Sequence, residues 1–260
     1  MARGPRFVST LGAAALLAFI AVPSSHAQSR RAPTPAEARV LNRFIGVMTP
    51  LLDRFVDPSW QVEDDDLPAD ASDVSISVDP GVPLDNCIGG SRTWAVVQDS
   101  PRFNQILKPL VDRSKALTDA VVAKTKDGKD TSAEWKALAP LNARMEQLSE
   151  VTIDVCANSP NVDAAALDST TPSLLPDVIA RKVSGEVCGV DIPNCYLLVF
   201  GNWKTARKNE PDHLYDFHFV HPAAAPYLEN VVIELHGAED RIQEMLKSVD
   251  WTRVNQALTH

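Results

Sequence analysis

The chain of 260 residues has no apolar run of 18 residues, so no segment has the length of a membrane-spanning helix. The G-x-S-x-G, H-E-x-x-H, Walker and G-x-G-x-x-G motifs are also absent, so the enzymes and nucleotide-binding proteins that use them are not indicated. Basic residues are the minority, with 25 Lys and Arg against 34 Asp and Glu. The net charge of −9 predicts repulsion from nucleic acid and from anionic lipid surfaces, so neither is expected as a partner.

The first 27 residues have the pattern of a secretory signal peptide. Arg3 and Arg6 precede the apolar run LGAAALLAFIAV, and the small residues Ser25 and Ala27 precede the predicted cleavage site. The alternative is an uncleaved membrane anchor, which is disfavoured because polar and charged residues follow at once. We therefore expect residues 28–260 to form a secreted or periplasmic protein that has no membrane span after cleavage.

Cysteine is scarce, and all four cysteines lie after the predicted signal peptide: Cys87, Cys156, Cys188 and Cys195. An even number in an exported chain predicts two disulfide bonds. Gly189 and Pro193 favour a turn that joins Cys188 to Cys195, which leaves Cys87 to pair with Cys156. A zinc or redox site is disfavoured because the chain contains no C-x-x-C motif.

The spacing of apolar residues predicts an α+β fold whose helices come before its sheet. Steps of three and four residues predict an N-terminal amphipathic helix near 34–55 and two long helices at 100–127 and 131–157. The short connection between the last two predicts a long antiparallel helical hairpin. Runs of β-branched and aromatic residues predict a small antiparallel sheet, covered by a C-terminal helix, with at least three strands near 195–203, 214–221 and 230–236.

Composition divides the mature chain into two parts joined by a linker. Residues 28–158 are predicted to be mainly helical, with an acidic loop at EDDDLPADASD. Residues 159–173 are predicted as the linker, and residues 174–260 as an α+β part that opens with a short helix at 174–183. The two parts form either separate domains or one continuous domain.

Four ionisable residues on the last two predicted strands are the best candidate site. Because side chains alternate along a strand, Asp216 and His218 share one face, and Glu234 and His236 share one face of the next strand. If these strands are antiparallel neighbours, all four side chains lie opposite the apolar face. Two imidazoles and two carboxylates suit Zn or a similar divalent ion, or acid/base chemistry. The favoured interpretation is the ordinary polar face of a half-covered sheet.

No catalytic residue and no resident cofactor are predicted. The leading hypothesis is an exported soluble binding or interaction protein of the cell envelope, whose ligand is an unknown protein or small molecule. The alternative is a metal-dependent or acid/base enzyme, with a divalent metal such as Zn, centred on Asp216, His218, Glu234 and His236. Neither the ligand nor the oligomeric state follows from the sequence.

Overall fold

The computed structural model describes residues 30–55, 57–77, 87–168, 172–183, 194–221 and 226–258. The predicted signal peptide and Cys188 lie outside these ranges, so the predicted cleavage and the predicted Cys188–Cys195 bond stay predictions. Within the same ranges, every helix is too short or too polar to cross a membrane.

Five α-helices occur in the described residues: α1 Pro35–Leu52, α2 Lys108–Lys126, α3 Ser132–Ser149, α4 Ala164–Asp168 and α5 Glu239–Ser248. A π-helical turn, Phe103–Leu107, precedes α2, and a 3-10 turn, Trp251–Gln256, follows α5. The same residues form eleven strands: β1 Arg30–Arg31, β2 Trp60–Asp65, β3 Ile76–Ser77, β4 Ile88–Val96, β5 Glu150–Ala157, β6 Asn161–Asp163, β7 Ile179–Val183, β8 Cys195–Gly201, β9 Arg207–Asn209, β10 Leu214–Asp216 and β11 Asn230–Gly237.

The largest sheet has six antiparallel strands in the order β2-β4-β5-β11-β8-β7. Strand β11 lies between β5 and β8, with Ile233 opposite both Val155 and Leu198. A second sheet has the order β6-β10-β9, and β1 pairs with β3. The large sheet therefore takes strands from both of the parts into which composition divides the chain, and β6 and α4 fall within the segment predicted as a linker.

The main hydrophobic core lies on one face of the large sheet. Alternation places Ile153 and Val155 of β5 beside Ile233 and Leu235 of β11 on this face, all buried. Helices α1 and α5 cover it with their apolar stripes, which include the fully buried Leu41, Leu51 and Ile242. A smaller cluster on the other face packs under the three-stranded sheet and contains Val162, Ala166, Val183, Cys195, Leu197, Val199, Trp203 and Val232.

Helices α2 and α3 pack on each other, and their buried residues belong to neither core cluster. Val121 of α2 and Leu138 and Leu141 of α3 are the residues that these helices bury. Lys124 forms an ion pair with Glu134 at 2.7 Å. Most of the surface of both helices is consequently exposed, including Trp135 at 53%.

The predicted arrangement, in which an N-terminal amphipathic helix and a long helical hairpin precede a small sheet under a C-terminal helix, is wrong. The large sheet has six strands, and β2, β4 and β5 come from the part predicted as mainly helical. The helix predicted at 131–157 ends at Ser149, because residues 150–157 alternate buried with less buried side chains as a strand does. The short helix predicted at 174–183 is also wrong, because Ile179–Val183 form strand β7.

The predicted disulfide bond between Cys87 and Cys156 is confirmed. It joins the residue before β4 to the end of β5, where Gly89 lies opposite Cys156 in the strand pairing. The bond therefore cross-links β4 and β5 at one end of their hydrogen-bonded pairing, and it closes a loop of 69 residues.

Candidate functional site

The structure separates the four residues that were predicted to form one site. Glu234 and His236 lie on β11, on the face opposite the main core. Asp216 lies on β10 in the three-stranded sheet, opposite Asn161 and Arg207, and His218 follows it as an exposed residue. The premise that 214–221 and 230–236 are neighbouring strands is wrong, because β5 and β8 occupy both sides of β11.

Glu234 has a different carboxylate as its neighbour. Asp154 of β5 lies directly opposite Glu234 in the strand pairing, and Asp154 Oδ2 lies 3.3 Å from His236 Nε2. The described residues contain no group of three or more His, Cys, Asp or Glu side chains placed to hold a metal ion. Of the four residues predicted as a site, Glu234 and His236 therefore lie together on β11, and Asp154 of β5 lies beside them.

An acidic cleft opens on this face of the sheet. We use this name for the cavity of about 560 Å³ whose lining includes four acidic residues, Asp66, Asp154, Asp163 and Glu234. Ser91, Ser159 and Asn161 add polar groups, and no Lys, Arg or His is among the described residues that line it. The disulfide bond Cys87–Cys156 forms part of its wall. Four acidic residues therefore share one concave surface, and the basic side chain in contact with one of them is His236, beside Asp154.

Two glycines shape the floor of the acidic cleft. A Cβ atom on Gly89 would collide with the Val155 carbonyl oxygen, and one on Gly90 would collide with that of Asp66. Only glycine therefore allows β4 to approach its neighbours this closely. A side chain at either position would force the backbones beside the cleft apart.

Burial raises the pKa of Glu234, and repulsion from Asp154 and Asp163 raises it further, while His236 acts in the opposite direction. The neutral acid is favoured because a half-buried carboxylate loses hydration and meets other negative charges. Glu234 therefore keeps its proton to a higher pH than an ordinary glutamate does. A cation placed in the cleft would remove this preference.

The negative charge continues along β5 towards α3. Burial raises the pKa of Glu150 at the start of β5, and the carboxylates of Glu63 and Glu146 raise it further. His236 is the nearby group that lowers it. The same region of the sheet thus disfavours ionised carboxylates at two positions, Glu150 and Glu234.

A second, larger cleft contains two histidines, and we call it the histidine cleft. Its cavity of about 840 Å³ is lined by apolar residues together with charged and polar ones, which include Lys204, His218 and His221. The His221 ring stacks on Tyr227 with the ring centroids 3.7 Å apart. His221 Nδ1 lies 3.0 Å from Glu229 Oε1. Side-chain alternation along 214–221 does not reveal this pair, because the partner carboxylate lies eight residues further on.

Glu229 is held from several directions. Its side chain is 3% exposed, and its two carboxylate oxygens accept hydrogen bonds of 2.9 Å from the backbone N–H groups of Val220 and His221. Its own backbone N–H donates to Asn158 Oδ1 at 2.9 Å. The carboxylate is therefore fixed in position, and it fixes the His221 ring in turn.

Sequence reasoning found Glu234 and His236 but missed Asp154, Asp163 and Glu229. The alternation in EVTIDVCA is the signal that places Asp154 on a strand face, and it was interpreted as the end of a helix. Asp163 and Glu229 stand in short segments with no periodic pattern. Comparison with protein families, curated proteins and solved structures finds no match for this chain. Function is therefore inferred from the two clefts.

Proposed function

We propose that the chain is an exported binding protein that holds a small organic cation, such as an amine, in the acidic cleft. The observation that supports this proposal is a cavity of ligand size whose lining, among the described residues, includes four acidic residues and no basic one. Carboxylates that share a half-buried surface repel each other, and an ammonium group relieves that repulsion. Electrostatic complementarity also favours a cationic ligand over a neutral one.

The walls of the acidic cleft suit a preformed site. The disulfide bond Cys87–Cys156 and the close approach of Gly89 to β5 hold the backbone on one side. The central strands β5 and β11 hold Asp154 and Glu234 on the other. A ligand that enters a rigid site orders few groups, so less of the interaction free energy is lost on binding.

Spermidine is a suitable probe, and we expect it to bind the mature protein at pH 7 and to release protons on binding at a lower pH, at which Glu234 is protonated. Release follows because the ammonium groups favour the ionised form of Glu234. Asp154→Asn and Glu234→Gln should each weaken binding about tenfold or more, since each removes a facing charge. Isothermal titration calorimetry in two buffers of different ionisation enthalpy measures both the affinity and the protons released.

The matched control is Asp119→Asn, which removes one negative charge from the exposed surface of α2, away from the acidic cleft. It should change spermidine affinity by less than about twofold, as distant surface charges are screened. Equal losses in Asp119→Asn and Asp154→Asn would show that only net charge matters. That outcome, or no binding at millimolar spermidine, contradicts the proposed function.

Glu234→Gln should also make the protein more stable at neutral pH. The pKa of Glu234 is raised in the folded protein, so the stability gained from its protonated form is present below the unfolded pKa and lost as the pH rises through the folded pKa. Glutamine stays neutral throughout. Urea unfolding should therefore show similar free energies for variant and wild type at pH 4 and a more stable variant at pH 7. A variant that is less stable at pH 7 would refute the assignment.

A second candidate function is acid/base catalysis in the acidic cleft. It is favoured by the direct opposition of Glu234 and Asp154, since facing strand residues have Cβ atoms roughly 5 Å apart. The raised pKa of Glu234 suits a proton donor, and Asp154, in contact with His236, suits the role of acceptor. Chemical change of the bound ligand, followed by mass spectrometry, distinguishes this function from simple binding.

A further inference from the structure

The histidine cleft contains a base, His221, that has no part in the function proposed for the acidic cleft. In a neutral imidazole one ring nitrogen carries the proton and the other carries a lone pair. An ionised Glu229 only accepts hydrogen bonds, so it requires the proton on His221 Nδ1, 3.0 Å away. The lone pair then lies on Nε2. Within the described part of the chain, no group hydrogen-bonds to Nε2, and the ring lines the cleft.

The surroundings of His221 keep this ring in one orientation. Glu229 is buried and accepts two backbone hydrogen bonds in addition to the imidazole, so it cannot turn away without losing them. Tyr227 stacks on the ring face. A buried carboxylate that fixes the tautomer and direction of an imidazole is an arrangement that supports general-base catalysis. Ordinary surface histidines, such as the exposed His218 of the same cleft, have no such support within the described residues.

The rest of the histidine cleft indicates the class of substrate. Its apolar wall includes Val178, Ile179, Val199, Phe217 and Val220, which suit a short hydrocarbon group. Lys204 lines the same cleft and forms no ion pair with a described residue. Its ammonium group is available to stabilise negative charge that develops on a carbonyl oxygen. An ester with an apolar acyl chain satisfies both features.

We propose that the histidine cleft is a hydrolytic site in which His221 acts as general base on water, oriented by Glu229, and the substrate is an ester with a short apolar acyl group. The water oxygen bonds to the ester carbonyl carbon while its proton passes to His221 Nε2. The bond from that carbon to the leaving oxygen then breaks, and the departing alkoxide takes the proton from Nε2. The products are a carboxylic acid and an alcohol, and His221 returns to its neutral form.

The experiment measures hydrolysis of p-nitrophenyl butyrate by the mature protein, with the rate in buffer subtracted. Removing a general base lowers rates by about 10² or more, so His221→Gln should reduce kcat/KM at least about 100-fold. His218→Gln is the matched control, because it removes the other imidazole of the same cleft, and it should stay within about threefold. The wild-type rate should also fall about twofold in deuterium oxide, since a proton moves in the rate-limiting step.

Three outcomes would overturn the proposal. The first is a wild-type rate no greater than that of free imidazole at the same concentration. The second is equal loss in the two histidine variants, which would indicate unspecific catalysis by accessible imidazoles. The third is full activity in His221→Gln with unchanged circular dichroism. If His221→Gln unfolds, His221→Asn with ester hydrolysis and circular dichroism measured on the same sample replaces it, and the same three outcomes apply. Spermidine binding is independent of all three results.

Discussion

Replacing Cys87 and Cys156 by serine is expected to lower the free energy of unfolding by about 4 kcal/mol. The bond closes a loop of 69 residues, and a cross-link of this span removes many conformations from the unfolded chain. It also fastens β4 to β5 beside the acidic cleft. The same variant should therefore bind spermidine more weakly, because the wall of the cleft is no longer held.

Guanidinium chloride unfolding, followed by far-ultraviolet circular dichroism, measures this loss. The matched control is Cys188→Ser with Cys195→Ser, which would remove a predicted bond across a much shorter loop. Loop-closure entropy then predicts a loss of about 2 kcal/mol. Equal losses in the two double variants, or no loss in the first, would contradict the loop-length argument.

Trp251→Ala is expected to cost about 3–5 kcal/mol of stability. Trp251 is 2% exposed in the main core, and its Nε1 donates a hydrogen bond of 3.3 Å to the Met245 carbonyl oxygen. Alanine would leave a cavity and would remove one of the two hydrogen bonds that the Met245 carbonyl oxygen accepts, the other coming from the Val249 N–H. The same unfolding measurement by circular dichroism gives the change in free energy.

Trp135→Ala is the matched control for that substitution. The Trp135 side chain is 53% exposed on α3, so its removal should change stability by no more than about 0.5 kcal/mol. A large loss in Trp135→Ala would mean that α3 packs against something in solution, such as another copy of the chain. A small loss in Trp251→Ala would mean that the residues after α5 are not part of the core.

Parts of the sheet were predictable because their signal is local. Strands β8 and β11 lie where the apolar runs at 195–203 and 230–236 predicted strands. Strand β5 was missed because Leu148, Thr152 and Val155 also fit the helical spacing of α3, and neither Gly nor Pro marks the change at Ser149. Strand β4 contains Gly89 and Gly90, which usually indicate a turn. This segment can be assigned as a strand only when β5 is known to pair with it.

The candidate site was likewise predictable only where its signal is local. Alternation along β11 placed Glu234 and His236 on one face without any knowledge of partners. Their true neighbour, Asp154, lies 80 residues earlier in the chain, and no local pattern indicates which strands pair. His221 lies within the strand predicted at 214–221, but β10 ends at Asp216, so alternation does not apply to it.

The position of β11 has a consequence for how the protein reaches its native state. It is the last of the described strands along the chain, yet it fills the gap between β5 and β8. Until β11 inserts, the ribbons β2-β4-β5 and β8-β7 each present an unpaired inner edge, and such edges recruit other chains. Substitutions within Asn230–Gly237 should therefore reduce the yield of monomer on refolding more than they reduce the thermal stability of the molecules that do fold.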